Sequence, residues 1–422
     1  MPPDSRPPNR EAPSPAVGPA DQSKHMPDER ERRQGKALCL SGGGYRAALF
    51  HLGALRRLNE LGILSQLDTV TSSSGGSIMS AMLADRVQPW PDPGQEFGDW
   101  EAKVAVPLRE FITHDIRTGP ILARLLLPWN WFRISAQAEE LARLYYRHLT
   151  KQKVLDLPPR PRFVFCATDV VFGANWVCER GRMGDYQYGY TTPPEALRVA
   201  EAVAASSCCP PMFDPLRSPR RPCDYVGGKC HGPGYDKYRR AVRLTDSGVY
   251  DNMATEPVWK DHAVVLVSDA GSQFRFATST NPIGLLLRYQ SLIGRQSAAL
   301  RKRWLISNFI KGVLDGAYWG IGSDVATYPT HPPRYYPSEL VSKVISRVRT
   351  DLASMSKAEI AVLENQGYLT ADAAARSHVP ELIPNVFKSR SVAVPHPYYM
   401  DECLVERELR GSARFRLFGR RG

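Results

Sequence analysis

Two short stretches near the start of the chain restrict the fold more than any other feature. In each, small residues separate an apolar run from a helical pattern. The first is A-L-C-L, then S-G-G-G-Y-R-A, then A-L-F-H-L-G-A-L, residues 37–55. The second is V-T, then S-S-S-G-G-S, then I-M-S-A-M-L-A-D-R, residues 70–86. Lys36 to Leu40 and Leu67 to Thr71 read as strands. Leu49, Leu52, Leu55, Leu58 and Leu61 recur at helical spacing, so Tyr45 to Leu61 reads as a helix that stops at Gly62. Two successive strand–loop–helix units need crossover connections between parallel strands. The expected fold class is therefore α/β, a mostly parallel central sheet with helices on both faces. Arg162 to Thr168, Val242 to Thr245 and Ala263 to Ser268 are further candidate central strands, and Pro194 to Ala205 and Leu285 to Lys311 carry helical patterns. The Pro/Gly-rich stretch Ser218 to Asp236 reads as a long loop.

The small residues also carry the chemistry. Gly42 to Ala47 satisfies G-x-G-x-x-A, the spacing of a dinucleotide-binding loop, and three glycines at a helix N-terminus can hold any anion on backbone N–H groups. A dinucleotide site, however, needs an acidic residue at the end of the second strand. That strand ends instead in S-S-S-G-G-S, residues 72–77. A serine on a tight strand-to-helix turn among small residues is the arrangement of a nucleophile elbow, with Ser74 as nucleophile, Gly76 as the second glycine and Ser72 in place of the first. The plain alternative is a polar turn whose serines cap the next helix. A nucleophile requires a base and an oxyanion site. Gly42, Gly43 and Gly44, with Arg46 beside them, can form the second. For the base, Asp246 in L-T-D-S-G-V-Y-D-N (residues 244–252) leaves a strand into a turn, where Gly248, Asp251 and Asn252 can support the loop. Two base systems fit. One is a Ser-His-Asp triad with His262, His331, His378 or His396, and the other is a direct Ser74–Asp246 dyad. A catalytically silent anion- or lipid-binding module is the non-enzymatic reading.

These pieces resemble bacterial patatin-like phospholipases. L-S-G-G-G-Y-R-A-A-L-F-H-L-G-A-L-R-R-L-N-E-L-G-I-L (residues 40–64), V-T-S-S-S-G-G-S-I (70–78), V-A-A-S-S-C-C-P-P-M-F (203–213) and L-T-D-S-G-V-Y-D-N (244–252) occur in that family's order. Looser similarity continues through residues 265–271 and 349–359. The resemblance implies a three-layer patatin-like fold, hydrolysis of acyl esters in lipids, no cofactor or metal, and a Ser74–Asp246 dyad without histidine. It also implies an oxyanion loop at Gly42 to Gly44 with Arg46. Two positions depart from the family pattern. Ser72 and Ser247 stand where glycine is usual, and only glycine reaches positive φ without cost.

Composition sets the setting. The 422 residues are 43% hydrophobic and 23% charged, an ordinary globular balance. No run approaches the roughly 18 apolar residues of a membrane span. The N-terminus lacks a signal-peptide core, so a cytoplasmic protein, peripherally membrane-bound at most, is expected. The eight cysteines form no disulfide framework. Cys208 and Cys209 read as buried thiols, and Cys223, Cys230 and His231 match no zinc spacing. A formal net charge of +12 suits anionic partners, but no nucleic-acid motif accompanies it, so nucleic acid is not expected. Residues 1–34 are Pro- and charge-rich and are expected to be disordered. By the resemblance, residues 35–400 are expected to form the patatin-like lipid acyl hydrolase domain, and 401–422 a basic tail. Two segments could meet a lipid surface: residues 119–133 (G-P-I-L-A-R-L-L-L-P-W-N-W-F-R), and Leu285 to Lys311, where core packing is the simpler reading.

Overall fold

The computed structural model describes residues 27–126, 133–218, 220–271 and 281–414. Its centre is a sheet of ten strands: β1 (Lys36–Leu40), β2 (Thr69–Ser72), β3 (Arg162–Asp169), β4 (Ala174–Cys178), β5 (Met183–Asp185), β6 (Gly189–Thr191), β7 (Leu216–Arg217), β8 (Arg243–Thr245), β9 (Val264–Asp269) and β10 (Asp315–Gly320). The order across the sheet is β10-β9-β1-β2-β3-β4-β5-β6. The first five of these are parallel, with Leu40 opposite Ser72 on one side and Ser268 on the other. From β3 onward the sheet continues antiparallel. The stretch expected as a central strand at 242–245 is instead the short β8, paired with only the last two residues of β3 and with β7. Its apolar residues fit a buried sheet margin as well as a centre.

Alternation along β1 separates two cores. Leu38 and Leu40 belong to a large cluster, and Ala37 and Cys39 to a smaller one on the opposite face. Against the large cluster lie α1 (Gly44–Glu60), α2 (Gly75–Arg86), α3 (Ala136–His148), α4 (Val199–Ser207) and α6 (Lys357–His378). On the other face the C-terminal half of α5 (Pro282–Ile310) supplies Leu305, with Trp304 and Phe309 at the margin.

The tightest helix pair is α1 with α6. A Cβ at Gly53 would fall 1.8 Å from the Glu364 carbonyl oxygen, and one at Gly367 would fall 1.8 Å from that of Phe50. The two backbones touch, so neither glycine leaves room for a side chain. One turn further along, the buried Arg57 of α1 donates to Asp372 (2.8 Å) and to the Tyr368 hydroxyl (3.0 Å) of α6. A buried ion pair of this kind chiefly fixes register, since desolvation offsets much of its attraction.

Of the segment expected to be disordered, residues 1–26 lie outside the described residues. Beyond them, the Asp28 N–H donates to Lys260 O (3.0 Å) and the Gln34 N–H to Asp261 O (3.2 Å). Residues 127–132 of the aromatic segment and 415–422 of the basic tail also lie outside. Glu402–Glu408, within the expected tail, is a helix with Leu404 and Val405 buried.

Gly53→Ala and Gly367→Ala are each expected to lower unfolding free energy by about 3 kcal/mol, the upper end of ordinary overpacking. Gly119→Ala, with nothing within 4 Å of the added carbon, should be neutral or slightly stabilising. Urea denaturation midpoints at constant m-value check both outcomes.

Candidate active site

The chain leaves β1 toward β2 on one side, and β9 returns on the other, so a crevice opens at the carboxyl ends of these strands. Four chain segments meet there: the glycine loop after β1, the serine turn after β2, Asp246 after β8, and Ala270 and Gly271 after β9.

Ser74 has φ 48° and ψ −115°, a conformation that costs a non-glycine residue energy and persists only when its surroundings enforce it. The enforcement is visible. A Cβ at Gly75 would fall 2.1 Å from Gly44 O, and one at Gly76 would fall 2.3 Å from Leu40 O. The turn is thus pressed against the glycine loop and β1. From the other side, the Ser206 hydroxyl of α4 accepts the Ser74 N–H (2.9 Å). Ser72, the departure from glycine, is accommodated: its hydroxyl lies 3.3 Å from Val164 O and 3.1 Å from the Ser77 hydroxyl.

Asp246 is 5% exposed. Burial pushes its carboxyl up to about 6, and the hydrogen-bonded Gly248 N–H (2.7 Å) and the neighbouring Ser74 side chain oppose that rise. The Thr168 hydroxyl of β3 holds its carbonyl (2.9 Å). Ser247 lies at φ −62°, so no glycine is needed there. Its hydroxyl instead meets those of Ser73 (2.6 Å) and Ser206 (3.3 Å), and Ser206 meets Ser77 (2.8 Å). This buried serine belt ties the turn, α4 and the Asp246 loop together. Sequence reasoning assigned Ser206 no role. The only signal was its place in V-A-A-S-S-C-C, which says nothing about what the hydroxyl meets.

The glycine loop divides its N–H groups. Gly42 donates to Asn252 O (2.9 Å) and lies so close to Ser74 that a Cβ there would sit 3.0 Å from the serine's own. Among the described residues, nothing accepts from the N–H of Gly43, Gly44 or Gly75. These three groups stand at the N-termini of α1 and α2, where the helix dipoles favour negative charge. Arg46 corrects the expectation that it joins the oxyanion loop. It is buried, and its guanidinium donates to the carbonyls of Ser346 (3.0 Å), Val348 (2.9 Å) and Ala270 (2.5 Å). One helical step carries it behind the loop, where it clamps backbone. His51, also on α1, was not considered from sequence. Its Nε2–H donates to Ser41 O (2.9 Å), so Nδ1 accepts from Ser268 Oγ (2.8 Å), and burial lowers its pKa to about 4. It is a neutral brace under the loop.

The four histidines of the triad reading lie elsewhere. His262 bonds Thr69 Oγ1 (2.9 Å) at the start of β2, whereas Ser74 follows that strand's end. His396 pairs with Glu364 (2.8 Å), and His331 and His378 sit against Tyr335 and Tyr328. None partners Ser74 or Asp246. Cys208 is buried, but Cys209 is exposed, contrary to expectation, on the wall of a cavity of about 690 Å³. Gly248, Asn252 and Gly271 line one side of that cavity, and Arg295 and Lys302 of α5 line the other. Behind α4, Phe165, Ala167, Trp176 and Leu244 line an apolar cavity of about 180 Å³.

Residues 38–259 match the family model described as patatin-like phospholipase. No curated protein matches the chain. Among solved structures, human GIVD cytosolic phospholipase A2 in complex with methyl gamma-linolenyl fluorophosphonate and terbium chloride is 13% identical, with a TM-score of 0.50. That alignment covers 88% of this chain and 62% of the human one. VipD from Legionella pneumophila is 14% identical at a TM-score of 0.31, over 82% of this chain and 67% of that one. The chain thus spans less than two thirds of the length of the human enzyme. The matched stretch contains the glycine loop, the serine turn and Asp246, and the chain belongs to the patatin-like phospholipase family.

Proposed function

We propose that this protein is a lipid acyl hydrolase, a serine esterase acting on phospholipids or related acyl esters through a Ser74–Asp246 dyad. The observation that carries the reading is one arrangement. A serine in a strained turn lies beside a buried carboxylate of raised pKa, next to N–H groups at two helix N-termini that nothing among the described residues claims.

The chemistry follows from these parts. Asp246 accepts the Ser74 proton as Oγ attacks the ester carbonyl carbon. The negative oxygen of the tetrahedral intermediate is held by the N–H groups of Gly43 and Gly44, with that of Gly75 nearby. Gly42 contributes its closeness to Ser74, because its own N–H is committed to Asn252. The intermediate collapses, and Asp246 returns the proton to the departing lyso-lipid or alcohol. Water then gives its proton to Asp246 and attacks the acyl-serine, and the fatty acid leaves as Ser74 recovers its hydrogen. A single carboxyl serves both halves, which suits a pKa near 6 better than an ordinary aspartate value.

Ser74→Ala and Asp246→Asn are each expected to lower kcat by at least about 10,000-fold while leaving the melting temperature unchanged. A fluorophosphonate should label Ser74 alone. Retained activity in Ser74→Ala would sink the mechanism, and stoichiometric nucleotide binding without labelling would place the protein among anion-binding modules. The pH dependence has a definite sign. Asp246 must be ionised to accept the proton, and its pKa is raised, so kcat/KM on a water-soluble ester falls as pH drops through about 6 and levels off above it. A flat profile from about pH 4 to 8 would be incompatible with Asp246 as the base.

A further inference from the structure

Helix α5 faces the opposite way from a helix that only packs on its own protein. At 100° per residue, Leu286, Tyr289, Ile293 and Leu300 fall within about 60° of one another. They are 67%, 56%, 72% and 59% exposed. Arg288, Arg295 and Lys302 recur every seven residues on the other side, and the last two line the cavity beside Gly248 and Asn252. The apolar face is turned to solvent and the cationic face toward the site.

An exposed apolar stripe alone does not name its occupant, but the charge around it does. The 29 residues of α5 include five cations, Arg288, Arg295, Arg301, Lys302 and Arg303, and no acidic residue. Along the C-terminal half runs a groove of about 520 Å³, with Ala299, Ile306 and Ile310 as its apolar part and Lys302, Arg303 and Lys311 as its cations. Arg301 is taken by Glu256 (2.9 Å). Among the described residues, Arg303 and Lys311 form no ion pair. A second copy of the chain laid on this helix would bring like charges together. An anionic lipid surface would offer apolar depth to the stripe and anionic headgroups to the free cations.

We propose that α5 docks the protein on an anionic bilayer. It lies in the interface plane, with Leu286, Ile293 and Leu300 in the headgroup boundary and Arg303 and Lys311 against anionic headgroups. Among the described residues, no helix is long and apolar enough to cross a membrane, consistent with a helix that lies on the surface. The purpose of the docking rests on the lipid-hydrolase reading, since it would bring the catalytic cavity to its substrate. The docking itself can be measured without catalysis.

Binding is read by flotation of the Ser74→Ala protein, which leaves vesicles intact. One vesicle set is phosphatidylcholine alone, and the other is phosphatidylcholine with phosphatidylglycerol at about two to one. The parent should bind the mixed vesicles at least about tenfold more tightly, and added salt should erase the preference. Leu286→Ser/Ile293→Ser/Leu300→Ser should weaken binding to the mixed vesicles about tenfold or more. Arg303→Glu/Lys311→Glu should remove the preference for phosphatidylglycerol. In the Ser74 background, both variants should hydrolyse a water-soluble ester within about twofold of the parent and lose vesicle hydrolysis in step with binding. Unchanged vesicle binding by both variants would overturn the proposal. So would a parent dimer that the triple substitution dissociates without altering vesicle binding. If soluble-ester hydrolysis is absent but vesicle binding responds as described, the catalytic reading fails and the docking stands.

Discussion

Backbone against backbone, where the glycine loop meets the serine turn, is the contact on which the site depends. Gly44 and Gly75 touch with no space for a side chain between them, and Gly76 rests on the last residue of β1. This closeness holds Ser74 in its costly conformation and brings the N-termini of α1 and α2 to one point. A methyl group at Gly75 would have to push the two helices apart, and one at Gly76 would have to push the turn off the end of β1. The site's precision therefore comes from an absence of side chains, with the surrounding serines and Asn252 fixing what the glycines leave free.

The electrostatics follow the same economy. Among the described residues no cation stands beside Asp246, and the arginine of the loop, Arg46, spends its donors on backbone carbonyls behind it. A guanidinium next to Asp246 would hold its carboxyl low and make it a poor proton acceptor. Burial without a counter-charge does the reverse. His51, neutral and braced between Ser41 and Ser268, likewise adds no charge to the loop it supports.

The parts of the fold and site that could be read from the chain are those written in local spacing. The glycine loop, the serine turn, the first two strands and the helix after them depend on residues a few positions apart, where periodicity and turn chemistry act. What escaped was set by distant partners. Ser206 reaches Ser74 across 132 positions, and Arg46 reaches Val348 across 302. A residue type announces that it can donate hydrogen bonds, but not toward which side of the loop it will point. The antiparallel extension through β4 to β6 carried no turn signal strong enough to stand out. In α5 the apolar pattern was visible, but a pattern cannot say whether its face meets the core or the solvent.

The family match ends at residue 259, yet the molecule does not divide there. β9 and β10 follow it, and so does α6, whose backbone presses on α1 at Gly53. Ala270 supplies the N–H that Ser41 holds and a carbonyl that Arg46 needs. A chain stopped at 259 would keep every group assigned to the chemistry, but β1 would become an open sheet edge and one side of α1 would lie bare. The segment that holds the proposed dyad is thus not a unit of folding. Its autonomy ends where the C-terminal part begins, and that part, which holds none of the groups proposed for the chemistry, decides whether the segment before it has a shape at all.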